Sequence, residues 1–454
     1  MTTFILRSLF CSFLVWALLP YQVVAQSNYD VSAYTDEAQQ IIDAALQDGE
    51  SFKRLTYFTD TFGHRLSGSE SLEQSIDWIL QEMQRQPLDR VTTQKVMVPH
   101  WVRGEESLSL VSPRSLHLPM LGLGGSVGTP PEGIQAEVLV VNSFDELEAK
   151  AQQAKGNIVL YNVPFTMYGE TVQYRLQGAI ASLVRSVGPY SMQTPHAGTS
   201  NYEEGTPKIP HAAITSEHAA MLERMQDRGQ KVTVNLSMEA ETRPDKLSRN
   251  IIAEIKGSEK PEEIVVMGGH IDSWDVGQGV MDDAGGCFAA WEALLLMKKL
   301  GLKPKRTVRV VMWTNEENGL RGATAYRDSV KADGSIDDHI LAIESDSGVF
   351  EPRGFGFTGS DNAFAMVSAI GQLLEPVGSE TISRGGGGAD IGPIMREGVP
   401  GMGLQVDGSR YFWYHHTAAD TIDKLDEEEY QQCIATMAIM AFVVADLPHS
   451  LPRK

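Results

Sequence analysis

Three apolar runs in the second half of the chain lack the alternation of a half-exposed strand, and each ends on charged residues: EEIVVMGGH (262–270), VRVVMWTNEE (308–317) and ILAIESD (340–346). Short uninterrupted runs of this kind read as parallel strands buried on both faces. GGCFAAWEALLLMKKLG (285–301) and YQQCIATMAIMAFVVADL (430–447) read as buried helices. Strands therefore alternate with helices to the C-terminus, which predicts an α/β sandwich. Upstream, TDEAQQIIDAALQDGESFKRLTYFTDTFG (35–63) and SESLEQSIDWILQEMQRQ (69–86) read as helical, the second with Ser69 as its N-cap, and TTQKVMVPHWVRGEE (92–106) reads as extended. The character changes between 106 and 238. A Gly/Pro-rich connection, PMLGLGGSVGTPPEGI, leads into the short strands AEVLVV, GNIVLYNV and ASLVRS, and KIPHAAITSEHAAMLERM and KVTVNLSM continue a small α/β pattern. His196 and His211 in this part read as structural or surface residues. The expected divisions are 1–25, 26–105 (with room for a short propeptide at its start), 106–238 and 239–454.

Composition narrows the picture. The 454 residues are 42% apolar and 21% charged, ordinary for a protein with a real core. A net charge of -21 argues against nucleic acid and against anionic membrane surfaces. The first 25 residues hold one Arg, a short apolar core and small residues at Val23 and Ala25, the pattern of a secretory signal peptide. Export to a periplasmic or extracellular compartment is expected, or a lysosomal one in a eukaryotic host. Cys11 would leave with the signal; Cys287 and Cys433 are too few for a disulfide framework and read as small core residues. SRGGGGADIG (383–392) lacks the GxxxxGK[ST] pattern, so it is not a phosphate loop.

Candidate chemistry falls at the ends of the apolar runs, where sites in parallel sheets collect. His270, Asp282, Glu316, Glu317, Asp346 and His416 lie just past such a run or in a turn after one. Mixed imidazole and carboxylate ligands suit Zn²⁺ better than Ca²⁺ or Mg²⁺, which prefer all-oxygen cages. Asp272 is placed to accept the second ring N–H of His270. Asp282 and Asp283 open GVMDDAGG; one such carboxylate can bridge two ions, although Asp at a helix start is also favourable without metal. Neighbouring side chains in an extended segment point different ways, so Glu316 and Glu317 could divide into a general base and a ligand. Two choices stay open on spacing alone: Glu344 or Asp346, and His415 or His416.

GGHIDSWDVGQGVMDDAGG, WTNEENG, ESDSG and YHHTAADT resemble the co-catalytic di-zinc exopeptidases. The likeness extends to FTDTFGHRLSGS, VPHWVRGEE and TPPEGIQAEVLVVNSFDEL, and covers nearly all the chain after the signal. The resemblance implies a mixed, mostly parallel sheet between helices, with 106–238 as an inserted protease-associated domain. It implies two Zn²⁺ per chain, one held by His270 and Asp346, the other by Glu317 and His416, with Asp282 bridging. Glu316 would be the general base and Asp272 would orient His270; Asp346 and His416 are preferred over their neighbours. A homodimer acting on dipeptides or short peptides is implied, with no stable membrane association. The resemblance implies relatives called carboxypeptidases that act on dipeptides within a wider family dominated by aminopeptidases, so the required free end stays open. Ser383, Arg384, Asp390 and Tyr414 are candidate substrate contacts by position. A catalytically inactive binding ectodomain and a glutaminyl-cyclase-like acyltransferase are the alternatives, and the complete ligand set weighs against both. Three departures stand out: YRLQGAIASLVRS (174–186) is shorter than its family counterpart, Ala418 replaces a usual histidine, and SRGGGGAD should loosen a substrate loop.

Overall fold

The computed structural model describes residues 29–163, 178–202 and 204–453. The expected signal peptide with Cys11, and residues 174–177 of the shortened segment, lie outside the described residues. The helical stretch 35–63 forms two helices, Thr35–Leu46 and Gly49–Phe62. Asp48 leaves the helical conformation (φ −89°, ψ 91°) and caps the second helix by accepting the Glu50 N–H. That cap outweighs the continuous apolar pattern. Ser69 caps Glu70–Gln84 by accepting the Leu72 N–H at 3.2 Å.

Two eight-stranded mixed sheets organise the chain. In the first, the order is Arg90–Val102, Glu241–Ile255, Arg306–Trp313, Lys260–His270, His339–Glu344, Gly401–Val406, Pro352–Thr358 and Thr381–Arg384. Its centre is parallel. Lys260–His270 runs parallel to both Arg306–Trp313 and His339–Glu344, and the last is parallel to Gly401–Val406. The register sets His270 opposite Trp313 and Gly268 opposite Glu344, so three strands finish almost level. Their buried residues explain the absence of alternation: helices Gly285–Lys299 and Glu427–Asp446 join the core on one face, and Tyr326 and Val330 of Arg321–Ala332 cover the other.

The chain leaves this sheet after Arg90–Val102 and comes back in Glu241–Ile255, its antiparallel partner, with Val102 opposite Glu241. All strands of the second sheet lie between Glu106 and Met238. Ile134–Val141, Ile158–Tyr161, Ala181–Arg185 and His211–Ile214 form its parallel part. This sheet has its own core, into which Trp274 from the loop after His270 is packed.

Cys287 and Cys433 are buried free thiols. His196 and His211 are both buried, which rules out the surface half of that expectation. Two of the glycines of 385–388 are required by packing. A Cβ at Gly388 would overlap the Glu344 carboxylate, and one at Gly386 would overlap the Gly356 backbone, so close approach demands glycine there. Among the described residues, no helix is long and apolar enough to cross a membrane.

Candidate metal centre

His270 closes its strand, and its ring is oriented locally. A carbonyl can only accept, so Nδ1 donates to the Asp272 backbone oxygen at 3.0 Å. That leaves Nε2 at 3.1 Å from Asp282 Oδ1 and 3.3 Å from Asp346 Oδ1. On the other side His416 Nε2 lies 2.9 Å from Asp282 Oδ2 and 2.9 Å from Glu317 Oε2. Asp282 thus turns one oxygen toward each histidine.

The neighbours divide by what their side chains hold. Asp283 accepts the His270 N–H and the Gly286 N–H, each at 3.1 Å, and so ties the strand end to the start of the next helix. Glu344 turns away and accepts the Ile391 N–H at 2.8 Å. His415 lies 3.4 Å from Asp282 Oδ2 and stacks on His416 with ring centroids 3.5 Å apart, while the pairing with Glu317 belongs to His416. Asp272 differs from expectation. Its backbone oxygen, not its carboxylate, takes the His270 proton, and the nearer carboxylate oxygen is 3.9 Å from Nδ1. The side chain instead accepts the Glu316 N–H at 3.0 Å and the Ser67 hydroxyl at 3.2 Å. Those two donors occupy the carboxylate, and the backbone oxygen takes the imidazole proton.

Arg65 and Asp420, neither at the end of an apolar run, shape the loop 271–282. Fully buried Arg65 donates to the carbonyls of Ile271 at 2.8 Å, Gln278 at 2.7 Å and Gly279 at 2.9 Å. Asp420 accepts the N–H groups of Met281 at 2.8 Å and Asp282 at 3.3 Å. Arg65 lies in the FGHRLSGS string and Asp420 in HHTAAD, but nothing in either spacing says where the side chain will reach.

Electrostatics tests whether cations fit here. Burial pushes the Glu316 carboxyl well above its usual range, with Asp346 and Glu317 adding to the effect despite the pull of His270. Burial lifts Glu317 to about 7. Burial also works against charge on His416, yet Glu317 and Asp282 raise its ring well above the ordinary value. Asp282 is held well below the usual range, because His415 and His416 outweigh burial. Carboxylates crowded until they compete for protons, with imidazoles turned between them, form a donor set that cations satisfy. Three-residue groups built on His270, Asp282, Asp283, Glu317, Asp346, His415 and His416 bring ligand atoms within 4.8 Å of one another.

The centre opens into a cleft of about 870 Å³ lined by Asp282, Glu316, Glu317, Asp346 and His416 on one side. Arg353, Gln405, Tyr411 and Phe412 are among the residues that complete it. The four positional candidates are not part of this lining. Ser383 donates to Gln405 Oε1 at 3.2 Å, and Arg384 pairs with Asp361 at 2.8 Å. Asp390 is buried, and Tyr414 packs beside Phe350 with ring centroids 6.4 Å apart. Strand Thr381–Arg384 is the sheet's outer edge, and Ser383 is next to the cleft only through Gln405.

Comparison with known proteins agrees with this architecture. The profile of Peptidase family M28 matches residues 250–441. Carboxypeptidase Q of Xenopus laevis is 48% identical over 435 residues, covering 93% of this chain and 92% of that protein. The crystal structure of a Peptidase M28 precursor from Shewanella amazonensis SB2B superposes with a TM-score of 0.87 at 33% identity, covering 93% of this chain and 98% of that one. A zinc aminopeptidase from Bacillus subtilis shares the fold, with a TM-score of 0.65 at 20% identity over 88% of this chain and 98% of its own.

Proposed function

The chain belongs to peptidase family M28 and is a metallopeptidase; from that premise we propose that it is an exported two-zinc exopeptidase cleaving dipeptides or short peptides, with a carboxypeptidase or dipeptidase preference. One observation carries the two-ion reading: the Asp282 carboxylate, with Oδ1 at 3.1 Å from His270 and Oδ2 at 2.9 Å from His416. Asp346 would complete one site and Glu317 the other. Bound zinc would supply Lewis acidity to the scissile carbonyl and make the attacking water more acidic.

The remaining steps belong to side chains. Glu316 lines the cleft and, among the described residues, makes no ion pair with either histidine, so its carboxylate is available to take a proton from water and pass it to the leaving nitrogen. Asp272 steadies it through the Glu316 N–H. Within the lining, Arg353 is the lysine-or-arginine cation, and it would meet a substrate's free carboxylate. That contact and the Carboxypeptidase Q likeness favour a free C-terminus. The segment 106–238 would be the inserted protease-associated domain, the leader would direct export, and the working unit would be a homodimer.

The test is a dipeptide panel with N-blocked and C-amidated versions, run on zinc-loaded protein. Cleavage that needs a free carboxylate supports the proposal, tolerance of an N-block marking a carboxypeptidase and a need for both free ends a dipeptidase. Cleavage that needs only a free amine makes the enzyme an aminopeptidase.

A further inference from the structure

The two histidines of the centre are oriented by different parts of the chain. His270 gives its Nδ1–H to a carbonyl two residues away in its own turn. His416 gives its Nδ1–H, at 3.3 Å, to the carbonyl of Ala197, 219 residues away on the second sheet's side of the molecule. Ala197 in turn donates its N–H to the His416 carbonyl at 2.8 Å, so the two residues are bonded in both directions. His416 has φ 59°, the left-handed region that a non-glycine residue seldom adopts, and the paired bonds hold it there.

The contacts continue on either side. His196 donates from Nε2 to the Phe412 carbonyl at 2.9 Å, four residues before His416. The Thr199 hydroxyl donates to the backbone oxygen of Glu317 at 3.0 Å. The segment is fixed from behind as well. Gly124 donates to Gly198 at 2.8 Å and accepts from Ser200 at 2.7 Å. The ring of Trp274 fills the space that a side chain at position 124 would need. Trp274 also donates its backbone N–H to Glu317 Oε1 at 3.0 Å and presents its ring edge-on to His416 at 5.7 Å. The bonds from His196, Ala197 and Thr199 toward the centre end on Glu317 or on the 412–416 turn, and none of them ends on His270 or Asp346.

We propose that residues 196–199 form a positioning strap through which the 106–238 segment builds one half of the metal centre, the Glu317–His416 half, while the His270–Asp346 half is complete without it. The strap acts through the ligands: the Ala197 carbonyl fixes the ring and proton of His416, and Thr199 fixes the backbone from which Glu317 projects. Carbonyl partners of this kind orient a ligating imidazole and strengthen it as a donor. The strap rests on the two-zinc reading above, and the experiment separates the two.

Zinc affinity is measured by chelator competition on the full chain in two backgrounds. Asp346→Asn disables the His270 half, and Glu317→Gln disables the His416 half. His196→Phe and Thr199→Val each remove one strap bond, the second at similar volume, and Thr199→Val carries the test alone if the larger phenylalanine side chain keeps His196→Phe from folding. The expected result is zinc binding weaker by about 10- to 100-fold in the Asp346→Asn background and unchanged in the Glu317→Gln background, with Tm constant. His196→Gln, which can still donate to Phe412, should restore the affinity. Equal weakening in both backgrounds, or none in either, overturns the strap. A wild-type chain that holds fewer than two zinc ions overturns the two-zinc reading instead.

Discussion

Both sheets have eight strands, and both place parallel strands side by side with their carboxyl ends at one edge. In the first sheet those ends carry His270, Glu316–Glu317 and Glu344–Asp346. In the second the residues just past the parallel strands are Asn142, Asn162, Ser186 and Thr215, all neutral. Thr215 uses its hydroxyl to cap the next helix by accepting the His218 N–H at 3.1 Å. Charge there is limited to Arg185, which closes its strand, and Glu223, which accepts from Asn142 and Asn162, so the same topology yields an edge crowded with carboxylates and imidazoles in one sheet and a mostly neutral edge in the other. Parallel strands supply only the place; ionisable side chains crowded at that place supply the chemistry.

The sharpest way to break the comparison is to remove the residue that the whole charged edge shares. Asp282→Ala should release both zinc ions and abolish turnover, measured by metal analysis and dipeptide hydrolysis. Retention of one tightly held ion would mean the edge is two independent sites. Next, Glu316→Gln should lower kcat by about 10²- to 10⁴-fold with zinc content still near two. Parallel loss of metal and activity would make Glu316 a ligand and leave the centre without its proposed base.

A third test uses pH, because the two sheets should respond with opposite signs. Burial pushes the neutral form of His211 to dominate, with its pKa brought down to about 4 from 6.5. Its contribution to stability is fully present above pH 6.5 and is lost as pH falls toward 4, about 3 kcal/mol over that window. In the metal-free protein Glu317 is raised to about 7, so its contribution is present in acid and is lost as pH rises from 4.5 through 7. Hydrogen-exchange protection should therefore rise with pH in Ala181–Arg185 and fall in Lys260–His270. Zinc should cancel the second trend, and His211→Gln should flatten the first. Matching trends in both strands would show that the sheets do not unfold separately.

Much of this was legible in the chain. The absence of alternation in 262–270, 308–317 and 340–346 located the parallel strands, and the residues at their ends located the centre. Periodicity failed where side-chain direction depends on the backbone beyond the strand end. Glu344 and Asp346 share a parity, but the backbone amide of Ile391 captures Glu344 while Asp346, past the last ladder bond, reaches His270. The substrate candidates rested on position alone: Ser383 and Arg384 sit in a strand whose place at the sheet edge no local pattern reveals. The strap was invisible in principle. Its most direct contact with His416 is a backbone carbonyl of an alanine, and a carbonyl has no residue type to recognise.

The smallest expected effect asks whether the catalytic sheet itself divides in the same way. Its parallel centre carries the metal ligands, whereas Arg353 and Gln405 come from Pro352–Thr358 and Gly401–Val406, which pair antiparallel and form another wall of the cleft. Arg353 is half-exposed and already faces Glu351 at 2.9 Å and Asp407 at 3.6 Å, so its charge is partly neutralised before a substrate arrives. A substrate carboxylate would compete with those partners, and the gain should be modest. Arg353→Gln should raise KM for free-carboxylate dipeptides about tenfold, equivalent to about 1.4 kcal/mol, with kcat and zinc content unchanged and C-amidated substrates unaffected. If amidated and free substrates shift alike, Arg353 serves the loop around Asp407, and the antiparallel wall contributes shape to the cleft and no recognition of the substrate's end.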